Sequence, residues 1–366
     1  MSTPEAATGS ASTHAAATRV TVHGAGLAGL TCAALLARAG CRTTLTGGPS
    51  AGGPRHLVLN EPTVTVLTHV WGDDVLAGSH ALTTRRIRWG PGAAEQDLPA
   101  PAIVVDAPRL LAILDRRLTG VDRLADPAPS DWEVHTMAVH GAGGTEATGG
   151  EEGAGGVAVG RRCAMVGYAP LAPGVPATAC RMATTVDSWL YLTPLGDGRA
   201  MIQAMTPTPP PDPDGFLAAE LDASGLGSLF AGPPERVTVV PAAPWLAEHR
   251  AQRGRLRIGG GVIRLDPVSG SGAGHALRTA VLAAAVITGI RDGLPADTAL
   301  DHYARRLGAA FLDHLTACAS HYRAAFDTAA WAEEVRVTEA AITTYAGSPH
   351  GFGLTLHASS TVDLRG

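Results

Sequence analysis

The sequence predicts an α/β fold: a Rossmann-like dinucleotide-binding domain built from discontinuous segments, a β-sheet substrate domain and C-terminal helices. Three observations predict it. A strand, a glycine-rich turn and a helix open the chain between Val20 and Gly48. A strand, a second glycine-rich turn and a long apolar helix follow between Leu256 and Ile290. Strand-like hairpin segments lie between these two blocks, and the end of the chain has a helical pattern.

Composition limits the classes of function. The 366 residues are 45% hydrophobic, enough for one large or two ordinary domains. The net charge of -5 is spread along the chain, so neither a nucleic-acid surface nor a polybasic membrane patch is indicated. All 28 basic residues are arginine, which excludes any mechanism that needs a lysine. We expect a small-molecule or peptide substrate.

The cysteines and the N-terminus bear on location. Five cysteines are scattered without a CxxC pair, so they indicate neither a disulfide framework nor a metal site. Residues 1–18 have no basic stretch followed by an apolar one, which predicts a disordered tail and not a signal peptide. No apolar run reaches about 18 residues without polar interruption. We therefore expect no membrane span and a cytoplasmic protein.

The first glycine turn fits the spacing GxGxxG between a strand at Arg19–His23 and a helix from Leu27 to Ala39. Its first glycine permits the tight turn, the second lets the backbone approach a pyrophosphate, and the third lets the helix pack on the sheet. The alternative is a turn that serves packing only. The candidate cofactor-binding residues here are Gly24, Ala25, Gly26, Leu27, Ala28 and Gly29.

A second glycine-rich turn precedes the long apolar helix, which we expect to start near His275. The N-terminus of that helix would suit the negative charge that gathers on a reduced flavin ring. Two helix N-termini, one for pyrophosphate and one for the ring, would form a flavin site. The candidate cofactor-binding residues are Gly259, Gly260, Asp266, Pro267, Gly270, Ser271, Gly272, Ala273 and Gly274.

The remaining elements follow from local signals. Asn60 is expected to cap a helix with Pro62 in its first turn. A Gly-Asp-Gly turn predicts a hairpin. Further expected elements are strands at 85–90 and 103–105, a helix at about 108–118, a hairpin or loop at 141–160, a turn or linker at 207–215 and a strand near 236–240.

The pairing of the N-terminal GxGxxG with LDPVSGSGAGHALRTAVLAA resembles FAD-dependent oxidoreductases of the p-hydroxybenzoate hydroxylase type. Within them it is similar to the tryptophan-halogenase-like branch, which includes flavoproteins that mature quinone cofactors, and next to geranylgeranyl reductases. The resemblance covers Arg19 to about Arg323. It implies a FAD-binding domain of residues 19–54, 101–125, 156–166 and 251–297, a substrate domain of 55–100 and 167–250, and a C-terminal helical section of 298–366.

The sequence departs from that family where polar contacts to FAD are expected. Gly47 stands in place of the ribose-binding acid, Ala107 in place of an arginine, although Arg109 remains as a candidate, and Gly260 in place of an aspartate. All three departures affect how firmly FAD is held. The halogenases of the branch use a lysine and a WxWxIP motif; both are missing, so we do not expect halogenation.

Candidate catalytic residues are His275, Tyr191 and Gln203. His275 would lie beside the flavin ring and could donate a hydrogen bond. Tyr191, with Trp189 and Thr193 on the same strand face, could line a substrate pocket. For each the alternative is ordinary packing. Two weaker candidates are His56 and a cluster at Arg85, Arg86 and Arg88, which could clamp a carboxylate or be a solvated strand face.

The resemblance implies a FAD-dependent monooxygenase that hydroxylates an aromatic or electron-rich small molecule or peptide side chain. NAD(P)H would bind transiently as reductant, or a flavin reductase would supply reduced flavin. Three alternatives stay open: a catalytically degenerate scaffold or partner protein, a non-redox FAD enzyme of the cyclase type, and a NADP-dependent dehydrogenase. The last leaves the second glycine turn unexplained.

Overall fold

The computed structural model describes residues 17–48, 56–136 and 155–346. The strands of this part are β1 (Arg19–His23), β2 (Arg42–Thr46), β3 (His56–Asn60), β4 (His80–Arg88), β5 (Gln96–Asp106), β6 (Val121–Arg123), β7 (Trp132–His135), β8 (Gly156–Ala158), β9 (Cys163–Pro170), β10 (Ala179–Thr184), β11 (Trp189–Pro194), β12 (Arg199–Thr206), β13 (Glu235–Pro241), β14 (Trp245–Ala247), β15 (Ala251–Gln252), β16 (Arg255–Arg257) and β17 (Ile263–Arg264). The helices are α1 (Leu27–Arg38), α2 (Glu61–Trp71), α3 (Ala107–Arg117), α4 (Pro213–Ala223), α5 (Gly272–Arg291), α6 (Ala296–Ala325) and α7 (Ala329–Ala346).

A six-stranded sheet has the order β15-β16-β7-β1-β2-β6, and all of its pairings but β15 with β16 are parallel. Helix α1 packs on β1 and β2 and also against α5. The side chains of Val22, Leu45, Val134 and Leu256 are buried in this core. This is the Rossmann-like arrangement that the sequence predicts, in which the carboxyl ends of parallel strands meet helix N-termini at one edge.

A second sheet contains eight strands in the order β13-β9-β12-β11-β10-β4-β5-β3, and only β10 with β4 is parallel. Period-two alternation divides its core. Leu190 and Ile202 pack with Leu217 of α4 on one face. Trp189 on the other face packs with Tyr322 of α6. A third, three-stranded sheet has the order β17-β14-β8.

The structure confirms the α/β fold class and most predicted elements. Asn60 caps α2 as expected, since its side chain accepts a hydrogen bond of 3.1 Å from the Thr63 backbone. The Gly-Asp-Gly turn joins β11 to β12. Residues 1–16 of the expected tail, residues 141–154 of the expected loop and residues 347–366 lie outside the described part.

Some expectations need correction. The helix expected from near His275 begins at Gly272, and the expected turn before Gly215 gives way to α4 from Pro213. Strands β3, β6, β7, β9, β10, β14, β15 and β17 were not predicted. Most of them are short, and β9 is buried on both faces, so it lacks the alternation of apolar and polar residues that indicates a strand. The domain ranges stay a prediction: β7 adds a strand from outside them to the parallel sheet, and β9 begins within residues 156–166 yet pairs in the eight-stranded sheet.

Within the described residues, α5 is the helix whose length and hydropathy would suit a membrane span. In this fold it is a core helix, because Leu277, Ala283 and Ile287 are buried and α1, α2 and α6 pack around it.

A buried ion cluster joins α7 to the second glycine turn. Arg162 is 1% exposed, and its guanidinium lies 2.8 Å from a carboxylate oxygen of Asp266 and 2.8 Å from one of Glu334 on α7. Asp266 also accepts hydrogen bonds from the Tyr322 hydroxyl at 2.7 Å and the Val268 backbone at 2.9 Å. Burial raises the pKa of both carboxyl groups, and the Arg162 charge opposes that shift. Each charge therefore depends on its partner.

Substitution Arg162→Met should lower the free energy of unfolding by about 3–5 kcal/mol, because it leaves two buried carboxylates without their cation. Arg19→Met is the matched control: its pair with Asp131 has half-exposed side chains and should contribute about 1 kcal/mol or less. Urea unfolding measures both. Equal losses in the two variants would contradict the role of the buried cluster.

Candidate cofactor and substrate site

Contacts with neighbouring protein atoms require some, but not all, of the glycines in the first glycine turn. Gly24 has φ of +104°, and a Cβ there would lie 2.1 Å from the Thr136 hydroxyl. A Cβ on Gly29 would lie 1.9 Å from the Gly24 carbonyl oxygen. A Cβ on Gly26, in contrast, would meet no protein atom within 4 Å. Packing therefore explains the first and third glycines of the motif but not the second.

The N-terminus of α1 offers free donors. The first intrahelical bond runs from the Leu30 N–H to the Gly26 carbonyl at 2.9 Å, and Gly26 supplies no side-chain cap. The N–H groups of Leu27, Ala28 and Gly29 consequently have no intrahelical acceptor. Such a helix end, with its positive dipole, can bind a phosphate or another anion.

The two glycine-rich blocks meet in space. Gly259 follows β16, and a Cβ on it would lie 2.9 Å from the Cβ of Ala28 in α1. The Gly259 N–H donates to the Thr279 hydroxyl of α5 at 2.8 Å. Added Cβ atoms at Gly260, Gly270 and Gly272 would meet nothing within 4 Å. The structure thus brings the turn after β16 against the start of α1, and it leaves open space at Gly260, Gly270 and Gly272.

The second helix end resembles the first. The His275 N–H bonds to the Ser271 carbonyl at 2.9 Å, and Ser271 makes no capping bond with its side chain. Asp266 begins this turn, but its carboxylate is fully buried among Arg162 and Tyr322. Asp266 therefore fixes the shape of the turn, and a direct contact from its side chain to a cofactor stays a prediction.

The structure shows the surroundings of two positions, Gly47 and Ala107, that lack the polar side chains expected to contact FAD. Gly47 has φ of +79°, a conformation that disfavours most side chains, and a Cβ there would lie 3.8 Å from the Gly24 Cα. Ala107 is the first residue of α3 and is 9% exposed. Arg109, two residues later in the same helix, donates a hydrogen bond to the Ala77 carbonyl at 3.3 Å.

Tyr191 and Gln203, two of the candidate catalytic residues, are directly opposite each other on β11 and β12. The Tyr191 hydroxyl contacts the Cys180 sulfur at 3.2 Å, and the Arg85 guanidinium lies over the tyrosine ring at 5.7 Å. Burial raises the pKa of Tyr191 well above its ordinary value, so the phenol stays protonated. Trp189 is packed in the core with 2% of its surface exposed, and its indole N–H donates a hydrogen bond to the Tyr322 hydroxyl.

The arginine cluster of the sequence is divided between two faces of the sheet. Arg86 forms an exposed pair with Asp97 at 2.7 Å, and Arg88 donates to the Ser224 carbonyl. Arg85 lies instead with Tyr191 and Cys180. Alternation along the strand separates Arg85 from Arg86 and Arg88, but the strand pairing was needed to show which side chains each face meets. Cys180 was missed for the same reason.

A cleft of about 380 Å³ lies beside this group. Tyr191 packs against Val104 and Leu195, which also line the cleft. The cleft further includes the side chains of His56 and Arg109. Polar groups line more of this cleft than apolar groups do, which differs from the mostly apolar lining of typical small-molecule sites.

His275 lies at the start of α5, away from the Tyr191 group in the chain. Burial lowers its pKa to about 4, assisted by the charge of Arg278 and by His314. A neutral imidazole at this place can donate or accept a hydrogen bond but carries no charge at neutral pH. Its catalytic role stays a prediction, as do those of Tyr191 and Gln203.

The fold matches solved flavoproteins. The peptidyl tryptophan dihydroxylase QhpG, essential for tryptophylquinone cofactor biogenesis, is 21% identical, with a TM-score of 0.71 over 87% of this chain and 79% of that one. The myxobacterial chondrochloren halogenase CndH is 18% identical, with a TM-score of 0.71 over 90% of each chain. HpxO of Klebsiella pneumoniae, solved with FAD and uric acid, is 16% identical, with a TM-score of 0.61 over 89% of this chain and 92% of that one.

No protein-family model and no curated protein matches the sequence. The likeness to solved structures confirms that the chain has the fold of the FAD-dependent hydroxylases and halogenases that the sequence resembles.

His314 supplies a pH test of the second turn. Its Nε2 accepts the Asp266 N–H at 2.8 Å, and burial lowers its pKa from 6.5 to about 4. The imidazole of His314 binds a proton at a higher pH in the unfolded chain than in the folded chain. The free energy of unfolding should therefore fall as the pH falls from 6.5 towards 4. His314→Gln should make that fall shallower, as measured by urea unfolding across the interval. The exposed His69→Gln is the control; an unchanged slope in His314→Gln would contradict the assignment.

Proposed function

We propose that the protein is a FAD-dependent oxidoreductase, and specifically a monooxygenase that hydroxylates an aromatic or electron-rich small molecule or peptide side chain. The observation that carries the proposal is the contact between the two glycine-rich blocks at the carboxyl edge of the parallel sheet. Gly259 lies against Ala28 at the start of α1 and bonds to Thr279 of α5, and each block leads into an uncapped helix N-terminus. Ligands of open α/β sheets bind at this edge.

The glycines fit such a ligand. Gly26, Gly260, Gly270 and Gly272 have no protein atom within 4 Å of an added Cβ, so their missing side chains leave room for a cofactor. The N–H groups that begin α1 would hold the pyrophosphate, and those that begin α5 would face the flavin ring. Bound FAD would supply the activation of oxygen.

The protein would provide position and exclude water. Tyr191 stays protonated and can donate a hydrogen bond, and Gln203 opposite it can donate and accept. The cleft beside Val104 and Leu195 would hold the substrate. Hydroxylation is favoured over halogenation because the chain has no lysine.

The solved relatives support a hydroxylase: QhpG is a peptidyl tryptophan dihydroxylase, and HpxO was solved with FAD and uric acid. We further propose NAD(P)H as a transient reductant. A cytoplasmic location accords with five free, buried cysteines.

The experiment is a titration of purified protein with FAD, followed by flavin absorbance and fluorescence. We expect one FAD per chain and, with NAD(P)H, oxygen consumption that a substrate increases. Binding of FAD without reduction by NAD(P)H would assign reduction to a separate flavin reductase. Protein that does not bind FAD would contradict the proposal and support the scaffold alternative. Gly47, Ala107 and Gly260 favour that alternative, because they remove polar contacts to FAD.

Two alanine substitutions in one turn separate cofactor binding from folding. Gly26→Ala should leave thermal stability unchanged, because its Cβ meets no protein atom, yet weaken FAD binding by at least about tenfold, or about 1.4 kcal/mol. Gly29→Ala should instead lower stability by about 1–3 kcal/mol through overpacking against Gly24. A Gly26→Ala variant that binds FAD normally would show that the turn does not hold pyrophosphate.

Gly260→Asp tests the second turn. The position is exposed and an added side chain has room, so an aspartate that accepts a hydrogen bond from FAD should tighten its binding by about tenfold. Equilibrium dialysis measures the change, with Gly232→Asp as the control: Gly232 precedes β13, and its added Cβ would lie 3.8 Å from the Pro170 side chain. Equal affinities in Gly260→Asp and the unmodified protein would mean that this position does not face the cofactor.

A further inference from the structure

Two histidines and a glutamate converge on neighbouring strands of the parallel sheet. His23 ends β1, His135 ends β7, and the two are in register. Glu133 lies two residues before His135 and so projects from the same face of β7. Their position is outside the residues assigned above to FAD or substrate.

The two imidazole rings are stacked, with centroids 4.5 Å apart and planes 10° from parallel. A nitrogen lone pair lies in the plane of its ring, so one imidazole has to turn about its side-chain bonds before both rings can bind the same ion. The Nε2 atoms of His23 and His135 are both buried and make no hydrogen bond within the described residues. A carboxylate oxygen of Glu133 lies 3.4 Å from the His135 Nε2. One ligand atom from each of the three residues lies within 4.8 Å of the other two.

A neighbouring hydroxyl fixes the orientation of one ring. The His23 Nδ1 is 3.1 Å from the Thr46 hydroxyl on β2. When Nδ1 carries the proton and donates it to that hydroxyl, the lone pair is on Nε2, the atom that points to the cluster. Histidine ligands of metals commonly make such a bond through their other nitrogen.

We propose that His23, Glu133 and His135 form a binding site for a first-row divalent transition metal such as Zn²⁺. Two imidazole nitrogens and one carboxylate are a donor set that Zn²⁺ accepts, with a fourth position open to water. Mg²⁺ is excluded by the donors, since it prefers oxygen ligands. The ion would link β1 to β7, two strands that are far apart in the chain.

One charge opposes the ion. The Arg255 guanidinium lies 3.4 Å from the Glu133 carboxylate, and both side chains are at least 40% exposed. An exposed pair of this kind contributes little and can rearrange. It therefore lowers the affinity without closing the site, and its removal gives a test in which binding should become tighter.

The experiment titrates the metal-free full-length protein, without an affinity tag, with Co²⁺ and follows the visible d–d absorption of the bound ion. We expect one Co²⁺ per chain, displaced by Zn²⁺ and not by excess Mg²⁺. Glu133→Gln and His135→Ala should each weaken binding by more than about 100-fold, and Thr46→Val by about 10–100-fold. Arg255→Gln should strengthen it, by up to about fivefold.

His69→Ala, on the exposed face of α2, is the control and should bind as the unmodified protein does. Thermal melts without metal check that each variant folds, and Glu133→Gln, which changes a half-exposed side chain only, keeps the test valid where His135→Ala does not fold. Failure of the unmodified protein to bind one Co²⁺, or equal binding by Glu133→Gln, would overturn the proposal. Neither result depends on FAD binding.

Discussion

The contact between Arg162 and its two carboxylates is the constraint on which the rest of the structure depends. Asp266 is the first residue of the turn that leads into α5, and Glu334 belongs to α7. A fully buried guanidinium is tolerated only when its charge and its donors are satisfied. The position of the second glycine turn and the docking of α7 are therefore two consequences of one cation.

The same cluster explains how an acidic side chain can be buried in a glycine-rich turn. The carboxylate of Asp266 contacts Arg162, Tyr322 and the backbone of Val268. The glycines divide into two groups: Gly24 and Gly29 are required by neighbouring protein atoms, whereas Gly26 and Gly260 leave open space.

Local signals in the sequence predicted the fold class, both helix N-termini and the β11–β12 hairpin, because each depends on residues close together in the chain. They could not predict which side chains meet across strands. Arg85 and Arg86 are adjacent in sequence but lie on opposite faces, and Cys180 reaches Tyr191 only through the register of β10 with β11. The cluster of His23, Glu133 and His135 could not be predicted for the same reason, because it depends on the pairing of β1 with β7.

The place of Glu334 in the chain has a consequence for biosynthesis. A ribosome completes β1, the glycine turn and even α5 long before it releases α7, so Arg162 and Asp266 must wait for the second carboxylate. Until then Asp266 is the carboxylate of the cluster that pairs with Arg162. The glycine turn before α1 is thus synthesised well before Glu334, which completes the ion cluster behind the second turn.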